Sequence, residues 1–98
     1  DVLWVTDENP RSEDPQSIRD YLLRGIASAR PDMHDVHEVT TCRRDAVRQA
    51  ILDARATDTV IITGNGAEWY QEIQGIHHRY NDVPVAAEVL AGDLRAHE

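Results

Sequence analysis

Two short apolar runs, Val2-Leu3-Trp4-Val5 and Thr59-Val60-Ile61-Ile62-Thr63, limit most strongly what this chain can become. Both are rich in β-branched residues and continuous rather than alternating, the pattern of strands covered on both faces in a parallel sheet. Between them lie two helix-length segments and a short alternating stretch, Val36-His37-Glu38-Val39-Thr40, which reads as a further strand. The predicted order is β-α-β-α-β within a single domain over residues 1–98, because a chain of 98 residues builds one modest core. The sequence opens on Asp1 and runs directly into a strand, so the expectation is a piece of a longer protein.

The first helix has a clear start in Asp14-Pro15, an acceptor at the N-cap followed by a residue with preset φ. Ile18, Tyr21, Leu22 and Ile26 recur at three- and four-residue spacing and predict one buried stripe. The second helix is expected from about Thr41, burying Ala46, Val47, Ala50, Ile51 and Ala54, with Arg43, Arg44, Arg48, Asp53 and Arg55 on a solvated face. Residues Glu68 to Gln74 and Ile76 to Tyr80 flank Gly75 as a hairpin, predicting an antiparallel edge on the parallel sheet. A last helix begins at Asp82 or Val83, carries Pro84 in its first turn and is expected to turn Ala86, Val89, Leu90 and Leu94 inward.

Charge excludes several function classes. The net charge of −8 repels phosphate backbones and anionic lipid surfaces, arguing against nucleic acid or a membrane surface as partner. All the basic residues are arginine, so Schiff-base lysines and the lysine of a phosphate-binding loop are absent from this stretch. The single Cys42 cannot form an internal disulfide, and no apolar segment nears the roughly 18–20 residues that span a bilayer, so a cytoplasmic location is expected.

Ligands of open α/β sheets bind beyond the carboxyl ends of the strands. Two loops fall there: Thr6-Asp7-Glu8-Asn9-Pro10-Arg11 after the first run, and Gly64-Asn65-Gly66-Ala67-Glu68 after the second. Together they bring an arginine, an amide, carboxylates and a flexible backbone to one edge, a mixture suited to a zwitterion. Each part also has a plainer reading. Asn9-Pro10 is a common turn initiator, Arg11 with Glu13 and Asp14 can form a surface ion-pair cluster, and Gly64 with Gly66 can be a tight turn. His77 and His78 are adjacent on a strand and point to opposite faces, which argues against a shared metal ion. Trp69 and Tyr70 read as hairpin packing residues. Cys42 heads a helix, which can activate a thiol, but no base is placed beside it in the sequence.

The order and spacing of the two loops resemble the Mur ligases, specifically the MurE-type UDP-N-acetylmuramoyl-tripeptide synthetases. Their signature is a strand ending in T-x-D-N-P-R followed by an acidic residue and a proline; this chain has Thr6-Asp7-Glu8-Asn9-Pro10-Arg11, then Glu13-Asp14-Pro15. About fifty residues on, the family has G-K-G-H-E and a Y-Q hairpin. Here the match is Gly64-Asn65-Gly66-Ala67-Glu68 with Tyr70-Gln71. The family's D-R-x-x-A-I helix corresponds to Cys42-Arg43-Arg44-Asp45-Ala46-Val47.

The resemblance implies a Rossmann-like three-layer α/β domain, with a mostly parallel sheet and an antiparallel edge hairpin, forming the back part of the family's C-terminal domain. It implies an ATP-dependent amide ligase: the D-Glu carboxylate of UDP-MurNAc-L-Ala-D-Glu is phosphorylated and the amine of a diamino acid attacks. Carried over position by position, Asn9 and Arg11 hold the distal carboxylate of meso-diaminopimelate, Glu68 and the Gly64 backbone receive its distal ammonium, and Glu8 stands where the motif has aspartate. No catalytic residue is assigned, and this stretch alone is expected to be inactive. ATP and Mg are implied for the full-length enzyme, bound mainly in a central domain outside these residues. Asn65 and Ala67 replace the family's lysine and histidine, so lysine or ornithine is an alternative substrate. The alternatives to this reading are the C-terminal domain of another Mur or folylpolyglutamate-type ligase and a non-catalytic α/β binding module.

Overall fold

The computed structural model describes residues 1–65 and 68–96. Strand β1 (Leu3–Val5) is followed by helix α1 (Pro15–Ala29) and strand β2 (Val36–Glu38), and then by helix α2 (Arg43–Asp53). The hairpin β3 (Tyr70–Ile73) and β4 (Ile76–Arg79) and helix α3 (Asp82–Ala96) complete the order. β1 and β2 pair in parallel with Leu3 opposite Val36 and Val5 opposite Glu38, so α1 is the crossover between them. The hairpin forms its own two-stranded antiparallel sheet, joined to the loop after β1 by a parallel bridge between Arg11 and Ile73. The predicted parallel pairing and antiparallel hairpin are both present.

Local chemistry accounts for the element boundaries. Asp14 caps α1 through its carboxylate, which accepts from the Gln16 N–H at 3.3 Å, and Pro15 occupies the first turn, where its missing donor is not needed. The chain reverses at Gln74 and Gly75 with φ of 53° and 76°, the paired positive angles of a type I′ hairpin turn. Asn81 starts α3 by accepting from the Val83 N–H at 2.9 Å. At the far end of α1, the Arg30 guanidinium donates to the Asp1 carbonyl at 2.8 Å and the His34 carbonyl at 3.0 Å, tying the helix to the start of β1.

Several expectations change. Thr59 to Thr63 runs without ladder pairing, with Ile61 79% exposed, because β1 is paired only with β2 and no strand among the described residues lies beside the run. The stripe expected on α1 is only half realised: Tyr21 is 72% exposed and Leu22 46%, while the buried residue of this helix is Arg19. Arg43 is buried at 4% rather than solvated, since it lies three and four residues before the buried Ala46 and Val47 and so shares their face. The core sits between α2 and α3, where Val47, Tyr80 and Val85 are buried and Ile51 and Ala86 pack against them. Leu90 is half exposed instead of inward, Val85 takes the central place, and the Leu94 side chain lies outside those described.

Candidate functional site

The two loops meet at the carboxyl end of β1. The Asn9 amide nitrogen donates to a Glu68 carboxylate oxygen at 2.7 Å, and its amide oxygen accepts from the Glu72 N–H. Because a backbone N–H can only donate, this second bond fixes which way the amide faces. Glu8 lies across Gly64: a Cβ built on Gly64 would come within 3.1 Å of the Glu8 Cγ and Cδ atoms, and Gly64 itself has φ of 113°. The backbone angle favours glycine there, and a larger residue would also push the Glu8 side chain aside.

Arg11 is presented differently. Its backbone takes a left-handed φ of 58°, uncommon for a residue with a Cβ, and is held there by its N–H donating to the Glu72 carbonyl at 2.8 Å. Its side chain is 60% exposed, and its nearest acidic neighbour is the Glu72 carboxylate at 3.7 Å, too long for a good hydrogen bond. The guanidinium is therefore exposed and only loosely paired. Glu72 is shared with His77, whose Nε2 lies 3.2 Å from it and whose ring stacks on Tyr70 at 4.4 Å. Asn9 thus meets Glu68 and Glu8 meets Gly64, while Arg11 lies at the hairpin against Glu72 and Ile73.

Beneath the loops lies a polar network that the sequence reading missed. Asp7 accepts through its carboxylate from Arg19 and through its carbonyl from Arg43 and Gln71, each at 3.1 Å. Arg19 also donates to Glu38 at 2.9 Å and to Gln16 at 2.8 Å, joining the carboxyl ends of β1 and β2. Arg43 grips both Asp82 oxygens at 2.9 Å, and its Nη2 also reaches the Thr63 carbonyl at 2.9 Å. The Tyr80 hydroxyl adds a 2.6 Å bond to Asp82, and the Asn81 side chain holds the Glu68 carbonyl at 2.8 Å. The signal for Arg43 was its helical register with Ala46 and Val47; Asp82 and Asp7 gave none, since their partners are distant in sequence.

Burial alone would raise the Asp82 carboxyl, but the hydrogen bonds from Arg43 and Tyr80 and the adjacent guanidinium outweigh it and hold the group below the ordinary range. Burial pushes the Tyr80 hydroxyl up, and its bond to the Asp82 carboxylate pushes it further. Burial opposes the charge on Arg43, yet Asp82 more than offsets this and raises its pKa. The result is a charged, paired cluster beneath the two loops.

Asn65 is 2% exposed, and neither polar atom of its amide has a partner among the described residues. No group of three or more His, Cys, Asp or Glu side chains among the described residues is placed to hold a metal ion. The chain also has no lysine, so the described residues of the two loops offer neither a phosphate-binding lysine nor a metal-ligand cluster. No helix among the described residues is long and apolar enough to cross a membrane.

The model of the Mur ligase glutamate ligase domain matches residues 1–66. The UDP-N-acetylmuramoyl-L-alanyl-D-glutamate--2,6-diaminopimelate ligase of Ectopseudomonas mendocina is 41% identical over 97 residues, covering 99% of this chain and 19% of the relative. The enzyme of the same name from Xanthomonas oryzae pv. oryzae is 47% identical over 90 residues, 92% of this chain and 17% of the relative. A solved structure of a ligase of that name superposes with a TM-score of 0.78 at 36% identity, covering 92% of this chain and 18% of the other. The chain therefore spans about a fifth of the length of the relatives it matches.

Proposed function

The chain belongs to the Mur ligase family, and from that membership we propose that it is the diamino-acid-recognising part of an ATP-dependent amide ligase. The full-length enzyme adds meso-diaminopimelate to UDP-MurNAc-L-Ala-D-Glu in the cytoplasm, during peptidoglycan precursor synthesis. ATP and Mg are held by other parts of the longer protein, and the contribution of these residues is to bind and orient the incoming amino acid. The observation that carries the reading is the contact between Asn9 and Glu68, which joins the two loops beside an open guanidinium.

Recognition follows from charge. The distal end of diaminopimelate is a zwitterion, a carboxylate beside an ammonium. The planar fork of Arg11 matches the carboxylate, assisted by Asn9, and charge-assisted hydrogen bonds of this kind are the strong ones. The Glu68 carboxylate and the Gly64 backbone receive the ammonium, with Glu8 adding negative potential alongside. Lysine and ornithine lack the distal carboxylate and would leave Arg11 without a ligand partner, so the site favours diaminopimelate.

The direct test supplies the full-length enzyme with ATP, UDP-MurNAc-L-Ala-D-Glu and meso-diaminopimelate, lysine or ornithine in turn, and follows the UDP-tripeptide product. Product with diaminopimelate at the highest kcat/KM is expected. No amide with any of the three amino acids would overturn the assignment, and preference for lysine would overturn the role given to Arg11.

A further inference from the structure

We propose that Arg43 is a positioning residue for amino-acid recognition, setting the spacing between the two site loops although it lies beneath them. The proposal rests on the function proposed above. Its Nη1 donates to the carbonyl of Asp7, the residue just before Glu8, at 3.1 Å. Its Nη2 donates to the carbonyl of Thr63, the residue just before Gly64, at 2.9 Å. One rigid guanidinium thus spans the last carbonyl before each half of the site.

The fork is itself held in place. Nε and Nη2 grip the two oxygens of Asp82 at 2.9 Å each, and Asp82 opens α3 in the core. With Arg43 4% exposed, water has little access to compete for these bonds. Thr63 ends a run with no ladder pairing, so among the described residues no sheet hydrogen bond holds the start of the second loop beside the first. The bidentate pairing fixes the plane of the guanidinium, and the plane fixes where both loops begin. Lysine at this position would keep the charge but, as a point donor, could not hold both carbonyls and both carboxylate oxygens in one plane.

The test is steady-state kinetics of the full-length enzyme carrying Arg43→Lys, with each substrate varied in turn. Displacing a binding group by about 1 Å costs on the order of a hundredfold, so the KM for the diamino acid is expected to rise about tenfold or more. The KM values for ATP and the UDP-dipeptide are expected to stay within about twofold, because those ligands do not rest on the two loops. Asp82→Asn, which keeps the shape but weakens the grip on the fork, is expected to give the same split in smaller measure and decides the matter if Arg43→Lys does not fold. A uniform loss across all three substrates, or an unchanged diamino-acid KM in a folded variant, would overturn the proposal. Wild-type enzyme that ligates no diamino acid would overturn the proposed function and this inference with it, whereas an active wild type without the split contradicts the role of Arg43 alone.

Discussion

The carboxyl end of the sheet and the outer helix faces are built on opposite terms. At the carboxyl end, buried Arg19 and Arg43 meet Asp7, Glu38 and Asp82 in charge-assisted hydrogen bonds. On the helix faces, apolar side chains stay exposed: Tyr21 and Leu22 line a shallow groove on α1, and Val83 and Leu90 one on α3. The buried apolar cluster between α2 and α3 is small. Positional precision in this chain therefore comes from polar contacts of fixed geometry, and the apolar surface contributes less than its amount suggests. Apolar area stabilises only when it leaves water.

The largest difference between the regions is expected from removing one partner of the buried ion pair. Arg43→Ala leaves Asp82 buried without its cation and is expected to destabilise the chain by about 3–5 kcal/mol, read from urea unfolding. Val85→Ala, in the buried apolar cluster between α2 and α3, is expected to cost about 2 kcal/mol by the loss of two methyl groups and the space they leave. Leu22→Ala, on the exposed groove, is expected to change stability by no more than about 0.5 kcal/mol. A Leu22→Ala cost equal to that of Arg43→Ala would erase the contrast.

A subtler distinction appears with pH. The Asp82 carboxyl is held below its ordinary value in the folded chain, so it contributes stability above the unfolded aspartate value of about 3.9. That contribution is lost as pH falls from there through the lower folded value. Asp82→Asn is therefore expected to flatten the acid limb of a stability–pH profile while leaving its slope near neutrality unchanged. An unaltered acid limb would mean that Asp82 is not the carboxylate that couples folding to pH.

Much of the site was legible because its signals are local. Asp14-Pro15 marks a helix start, Gly75 marks a hairpin, and the residues of the two loops are close to their own strands in sequence. The network below them was hidden because its partners are far apart: Arg43 and Asp82 are separated by 39 positions. Residue type alone places Arg43 on a solvated face, whereas its register with Ala46 and Val47 puts it on the buried one. The run Thr59 to Thr63 has the composition of a buried strand, but a strand needs a neighbour as well as a composition, and the run has none among the described residues. The α1 stripe failed for a related reason, since periodicity marks an apolar face without saying what covers it.

Recognition of the distal zwitterion turns most directly on Arg11. In the full-length enzyme, steady-state kinetics with meso-diaminopimelate and with lysine compare wild type with Arg11→Ala. A hydrogen bond to a charged group contributes about 1.5–3 kcal/mol, so kcat/KM for diaminopimelate is expected to fall about ten- to a hundred-and-fifty-fold. The value for lysine is expected to change little, narrowing the preference between the two, because the wild-type site rejects lysine by leaving its own charge unpaired. An equal loss with both amino acids would show that Arg11 supports the loop without reading the substrate, and would contradict the claim that the two loops form a site for the distal zwitterion.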